Sequence, residues 1–279
     1  MTDLDSLLPC AMKALDIAKD IAGTHAPGTL RAKGDRDLVS DVDIAVERAV
    51  RAYLREQTPH IRFLGEEEGQ TGQSGDLLWA LDPIDGTANF VHQLPLYAIS
   101  LALVQDKLPI LGLVDLPAFG SRYSAIKDDG AKVNGTSIHV HPISRLHDAI
   151  VSIGDYAVGA EADAKNELRL AVTQRLARQA LRVRMFGTAA TDLAWLAEGK
   201  TDASIILGNK PWDTAAGTVI AREAGADVVD LDGSPHTLSS KATIAVAPGL
   251  RGELLDLLVE AQTSITAWAP LWEPVPDST

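Results

Sequence analysis

The sequence predicts a layered α/β fold, and three observations carry that expectation. The second half alternates short apolar stretches with segments of helical periodicity, the rhythm of strands stacked on helices. The middle is rich in apolar runs separated by tight turns, as in an antiparallel sheet. The N-terminal segment carries two amphipathic helical patterns that need a sheet to cover.

Residues 4–22 repeat Leu4, Leu7, Leu8, Ala11, Leu15, Ala18, Ile21 and Ala22 at helical spacing. Residues 23–37 mix Gly, Pro, Thr and charge, the composition of a loop or irregular hairpin. Ser40 is placed to cap a second helix, with Asp43 three residues on and Ala45, Val46, Ala49, Val50 and Leu54 on its buried face. Short strands follow at 62–64 and 77–81. Residues 97–105 and 108–115 flank the turn Asp106-Lys107 and read as an antiparallel pair, and 122–127 with the Asn134-Gly135 turn extend it. Beyond these, 149–153, 183–186, 203–207, 227–231 and 243–247 read as strands, and 162–179, 189–198, 214–224 and 250–264 as helices. The tail from Ala269 holds three prolines and reads as irregular. At ~150 residues per domain, a chain of 279 suggests about two domains. The change of rhythm near 142–147 divides it into residues 1–145, residues 146–268 and the tail 269–279.

Composition narrows the function classes. Hydrophobic residues make up 46% and charged residues 23%, which excludes disordered, collagen-like and coiled-coil chains. No apolar run approaches the ~20 residues of a membrane helix, so no membrane partner is expected. The opening Met1-Thr2-Asp3-Leu4-Asp5 carries acids where a signal peptide carries basic residues, so a mature cytoplasmic protein is expected. The single cysteine, Cys10, excludes an intramolecular disulfide framework and a CxxC metal site. The formal charge of −13 argues against nucleic acid as a partner, which calls for a basic footprint.

Part of this acidic excess is clustered. Three groups stand at the ends of predicted elements: Asp37-Leu38-Val39-Ser40-Asp41-Val42-Asp43, Gly65-Glu66-Glu67-Glu68-Gly69 and Asp82-Pro83-Ile84-Asp85-Gly86-Thr87. The third follows an apolar strand and so reaches a sheet edge, where α/β proteins build ligand sites. Pro83 lacks an N–H, so the strand is expected to stop there. A tight bend would then aim Asp82, the Ile84 carbonyl and Asp85 at one volume. Two carboxylates that close stay ionised only with a cation between them, and such oxygen ligands suit Mg²⁺ or Mn²⁺ rather than Zn²⁺. Gly86 and Thr87 offer backbone N–H groups to a phosphate where a new helix begins. Taken singly, each cluster has a plainer reading. Asp-Pro and Asp-Gly are turn formers, Glu66, Glu67 and Glu68 suit a solvated loop, and Asp41 and Asp43 suit a helix first turn.

Taken together, the set resembles the inositol monophosphatase family. The three clusters match that family's motifs, the third extended as Trp79-Ala80-Leu81-Asp82-Pro83-Ile84-Asp85-Gly86-Thr87-Ala88-Asn89-Phe90-Val91-His92. Trp212-Asp213-Thr214-Ala215-Ala216-Gly217 and Gly187-Thr188-Ala189-Ala190 match two more, in order, over roughly residues 4–260. The resemblance implies a layered αβαβα fold and a Mg²⁺-dependent, lithium-sensitive phosphomonoesterase, commonly a homodimer. It implies two or three ions, with Mn²⁺ an acceptable substitute, and a small phosphorylated metabolite of the inositol 1-phosphate kind as substrate.

Carried over by position, Glu66, Asp82 and the Ile84 carbonyl hold one metal. Asp82 bridges to a second, which Asp85 and Asp213 also hold. Glu67 would position a third through water. Thr87 and Asp43, together with Glu66, orient and activate the attacking water. Asp85 and the Gly86 and Thr87 amides meet the phosphate, while Gly187, Thr188, Ala189 and Asp213 meet the alcohol. Most metal ligands therefore fall in residues 1–145, and Asp213 with the substrate side in 146–268. The chemistry is coherent: two cations ~3.5–4 Å apart lower the pKa of water and neutralise phosphoryl charge.

The chain departs from the family pattern where an acid contacts inositol hydroxyls, seven residues before Asp213; that position is Ile206. Asn209 and Lys210 either contact a ligand or shape a turn. Histidinol phosphate, adenosine 3′,5′-bisphosphate and fructose 1,6-bisphosphate, substrates of related members, therefore stand as alternatives, and so does a non-catalytic regulatory role. Asp41-Val42-Asp43 mimics the motif of aspartyl-nucleophile phosphatases, but that motif should follow a buried apolar strand, and here only the short Leu38-Val39 precedes it and helical periodicity starts at once. Gly199-Lys200-Thr201 lacks the earlier glycine of a P-loop, since position 194 is alanine.

Overall fold

A computed structural model describes residues 4–24, 30–34, 37–72 and 75–265. The tail expected at 269–279, and residues 25–29 and 35–36 of the expected loop, lie outside the described residues. The chain opens with α1 (Leu4–Thr24), which buries Ala11, Ala14, Leu15, Ala18 and Ala22, the stripe its periodicity defines. An antiparallel hairpin, β1 (Leu30–Gly34) and β2 (Asp37–Ser40), leads into α2 (Asp41–Gln57). Ser40 closes a capping box with Asp43: the Ser40 N–H donates to Asp43 Oδ2 at 3.0 Å.

The large sheet follows: β3 (Arg62–Gly65), β4 (Gly69–Thr71) and β5 (Leu77–Asp85), then the short helix α3 (Thr87–Val91). It continues through β6 (Ala98–Gln105), β7 (Leu108–Leu116), β8 (Ser121–Ile126), β9 (Ala131–Val133) and β10 (Thr136–Ile138). The eight strands lie in the order β10-β9-β8-β7-β6-β5-β3-β4, antiparallel throughout except for the parallel pair β3 and β5. Asp106 and Lys107 join β6 to β7 with positive φ at both, 49° and 65°, the mirror-image turn that matches strand twist.

The second sheet is built from β11 (Ile150–Ile153), α4 (Ala162–Gln179), β12 (Arg182–Arg184), α5 (Ala189–Ala197) and β13 (Ala203–Ile206). It is completed by α6 (Pro211–Glu223), β14 (Asp227–Val229), β15 (Thr243–Val246) and α7 (Arg251–Ser264). Its strand order is β12-β11-β13-β15-β14, with β11 parallel to β12 and β13 and β15 antiparallel to its neighbours.

Five layers result. Helices α1 and α2 cover one face of the large sheet, and α5 and α6 cover the other. The same α5 and α6 pack against the second sheet, where α5 meets β13 and β15 and α6 meets β14 and β15. On the far side α4 packs on α7, the pair sharing a core with that sheet. Each of the four interfaces has its own apolar cluster, centred on Trp79 and Leu101, on Tyr123 and Val219, on Leu193 and Ile206, and on Val151 and Leu254.

Two expectations are corrected. Strand β5 does not stop at Pro83 but runs on to Asp85. The register against β6 shifts between Asp82 and Asp85, so this irregular stretch tolerates a residue that cannot donate. Helix α6 begins at Pro211 rather than at 214, with proline at the first helical position, where a missing N–H costs nothing. That earlier start sets Asp213 in the first helical turn.

Candidate metal centre

The centre forms where β5 ends against the first turns of α2 and α6 and the turn between β3 and β4. Asp82 is 2% exposed, and its Oδ1 accepts the Ile84 N–H at 3.0 Å, a local turn that tightens the chain around Pro83. Gly86 then takes φ 90°; a Cβ there would lie 3.0 Å from the Gly187 carbonyl oxygen and 3.1 Å from that of Leu96. Only glycine suits both the conformation and the space. The chain turns at once into α3, and the Thr87 hydroxyl lies 3.0 Å from Asp43 Oδ1 and 3.1 Å from the Ile84 carbonyl oxygen. Asp43 is fully buried on α2, and burial raises its pKa against the bonds from Ser40 and Thr87 that lower it.

Glu66, Asp82 and Asp213 each bring a carboxylate oxygen to within 4.8 Å of the others. Burial first, then the neighbouring carboxylates Glu66, Asp85, Asp213 and Asp43, push Asp82 well above the usual carboxylate range. Asp213 is pushed up in the same way, by burial and then by Asp85. Asp85 is raised to about 6 by burial, against the opposing bonds of Thr188 and Ala190. Its Oδ2 accepts the Thr188 hydroxyl and the Ala190 N–H, both at 2.6 Å, so the first turn of α5 holds one oxygen of a large-sheet carboxylate. The cation beside the trio is Lys210, whose Nζ stands 3.7 Å from Glu66 Oε1. Oxygen-only donors, buried or half-buried and mutually repelling, fit a hard divalent cation.

A cavity of about 180 Å³ adjoins Asp85 and Asp213. Gly187, Thr188 and Ala189 line it, as does Ile206 where the resembled family carries an acid. Asp155, Asp192 and Arg169 line it as well. Arg169 spends its guanidinium on backbone carbonyls, including those of Asp155 and Lys165 at 3.1 and 2.9 Å and that of Leu207. Of the other residues singled out in the sequence, Asn209 shapes the turn before α6: its Oδ1 accepts the Thr214 and Thr243 hydroxyls at 2.7 and 2.9 Å. His92 is an exposed C-cap, and Cys10 is a partly buried α1 residue against the core.

The profile of the inositol monophosphatase family matches residues 3–267. The chain belongs to the inositol monophosphatase family. It is 36% identical over 257 residues to inositol-1-monophosphatase ImpA of Mycolicibacterium smegmatis, covering 91% of this chain and 92% of that one. It is 32% identical over 225 residues to the Nus factor SuhB of Pasteurella multocida, covering 80% and 83%. A solved Thermotoga maritima IMPase superposes with a TM-score of 0.84 at 30% identity, covering 93% of this chain and 99% of that one. The family is one of phosphoric monoester hydrolases acting on phosphorylated small molecules, and no described helix is long and apolar enough to cross a membrane.

Sequence reading missed two supports of this family site. Glu47 is fully buried one helical turn after Asp43, and its carboxylate accepts the N–H groups of Glu67 and Glu68 at 2.7 and 2.9 Å and pairs with Arg51. The i,i+4 spacing from Asp43 was the available signal. The Thr188 and Ala190 bonds to Asp85 span more than a hundred residues and left no local signal.

Proposed function

We propose that this chain is a Mg²⁺-dependent phosphomonoesterase for a small phosphorylated polyol of the inositol 1-phosphate kind. The reading rests on one observation: a carboxylate 2% exposed, Asp82, converging with Glu66 and Asp213 within 4.8 Å. Glu66, Asp82, Asp85, Asp213 and the Ile84 carbonyl would hold two or three Mg²⁺, with Mn²⁺ a substitute, and Glu67 would support the weakest through water. Bound there, divalent cations lower the pKa of water and neutralise charge on the phosphoryl and leaving oxygens.

The protein's own groups then supply aim and proton traffic. The Thr87 hydroxyl, fixed between Asp43 and the Ile84 carbonyl, takes a hydrogen bond from the attacking water and passes proton density to Asp43. Burial raises the pKa of Asp43, which suits it to receive that proton. The Gly86 and Thr87 amides hold the phosphate, and Gly187, Thr188 and Ala189 face the alcohol. The alcohol cavity is small and carries the carboxylates of Asp155 and Asp192. A cavity of about 180 Å³ leaves little room for a second phosphate, which favours a monophosphate over fructose 1,6-bisphosphate or adenosine 3′,5′-bisphosphate. A cytoplasmic, lithium-sensitive homodimer belongs to the same reading.

A panel of inositol 1-phosphate, histidinol phosphate and the two bisphosphates with Mg²⁺, read as phosphate release, tests it. The expected result is fastest release from the inositol ester, with lithium inhibition. No release from any ester while Mg²⁺ binds normally would overturn the reading in favour of a binding role.

A further inference from the structure

A groove of about 810 Å³ opens along α2, on a different set of residues from the metal centre. Its charge is opposite to that of the chain. Residues 48–62 hold Arg48, Arg51, Arg55 and Arg62 against one acid, Glu56, within a protein of net charge −13. Arg48, Arg51, Arg55 and His60 line the groove, and Ile61 and Phe63 give it an apolar wall. The Arg51 guanidinium stacks over the Phe63 ring at 4.9 Å, and its Nε is a buried donor with no hydrogen-bond partner. A buried N–H left unpaired costs free energy that an incoming acceptor recovers. Convergent guanidinium groups over an aromatic wall suit a dianionic oxyanion attached to an apolar body.

The same arginines hold the turn that carries Glu66. Arg48 pairs with Glu68 at 2.7 Å, Arg51 pairs with Glu47, and Arg51 donates to the Gly69 carbonyl at 3.2 Å. Glu47 in turn accepts the N–H groups of Glu67 and Glu68. Gly65, at the foot of the turn, leaves no room for a side chain because the Glu47 carboxylate fills that space. An anion drawing Arg48 and Arg51 into the groove therefore releases Glu68 and Glu47, and with them the backbone on either side of Glu66.

We propose that the α2 groove is a second, inhibitory site for a small organic phosphate, coupled to the metal centre through Arg51, Glu47 and the turn 65–69. Coupling of this kind is reciprocal: the anion weakens the cation at Glu66 and the cation weakens the anion.

Phenylphosphonate, whose P–C bond is not hydrolysed, is the probe. Calorimetry of the full chain in chelator isolates the groove, because the metal-free acidic centre repels anions. Wild type is expected to bind one equivalent, and Arg48→Ala/Arg55→Ala, which changes two exposed side chains, to bind at least about tenfold more weakly. In a second titration, phenylphosphonate is expected to raise the apparent Mg²⁺ dissociation constant several-fold in wild type and not in the double variant. Occupation of the metal centre by the probe would instead tighten Mg²⁺. Absence of binding to the metal-free protein, equal binding by the variant, or a Mg²⁺ constant that is unchanged or tightened would each overturn the proposal.

Discussion

Glu47 and Asp82 are both buried carboxylates, and both meet the turn that joins β3 to β4. Glu47 is surrounded by donors: two backbone N–H groups and the Arg51 guanidinium. Asp82 is surrounded by acids, Glu66, Asp85, Asp213 and Asp43, which together with burial drive its pKa up. One charge is balanced by the protein's own donors, while the other is opposed by its neighbours. Burial alone therefore does not mark a ligand site. The sign of the neighbours does, because an uncompensated buried charge is costly and persists only with a partner of opposite sign.

Substitutions break this contrast in opposite directions. Asp82→Asn should reduce phosphate release about 10³-fold, the loss expected when a preorganised electrostatic group is removed. It should hold or raise the melting temperature in chelator, since a repelling charge is gone; a large fall there would show that Asp82 stabilises the fold. Glu47→Gln should do the reverse for stability. Leaving Arg51 without its partner should cost about 3 kcal/mol in denaturant unfolding of the metal-free protein. Mg²⁺ affinity should fall as well, because the 65–69 turn loosens. Unchanged unfolding would mean that Glu47 is dispensable scaffold.

Protons sharpen the same contrast. Asp85 has a folded pKa of about 6, above its unfolded value, so the stability it contributes to the metal-free fold is present at low pH. That contribution is lost as pH rises through about 6, when the buried group ionises without a partner. A bound cation reverses the loss. The gain in melting temperature on adding saturating Mg²⁺ should therefore grow between about pH 5 and about pH 8, with apparent affinity changing at least about tenfold per unit below about pH 6, since Asp82 and Asp213 release protons as well. A pH-independent gain would place the cation away from Asp85. The smallest effect concerns selectivity: Ile206→Glu should raise the rate on inositol 1-phosphate relative to other esters by about tenfold, as one added hydroxyl contact allows. An unchanged ratio would put selectivity elsewhere in the cavity.

Much of this was legible in the residues. The helix expected at 162–179 is α4 to the residue, and the Ser40–Asp43 box appears where its spacing placed it. Local patterns of this kind depend on near neighbours. The strand through Pro83 and the early start of α6 were misread because each places a proline where it has no N–H to lose, an exception that a proline-as-breaker rule does not anticipate. The three acidic clusters were visible as clusters. Their convergence with Asp213 came only through the family resemblance and not from spacing or periodicity, because Asp82 and Asp213 meet only once β5 and α6 pack. The assignment of one Asp85 oxygen to the first turn of α5 likewise depended on a contact between distant segments.

The middle helical layer has a consequence for how the chain is made. The face of the large sheet that carries Val114, Tyr123 and Ala125 is closed by Ala190, Ala194, Val219 and Ile220. A ribosome finishes the sheet long before it delivers those helices. During that interval a broad apolar surface on the nascent chain has no cover of its own, a state prone to aggregation. Holdase chaperones should engage this protein while residues 140–190 are being translated, and metal competence should appear only once α6 has emerged.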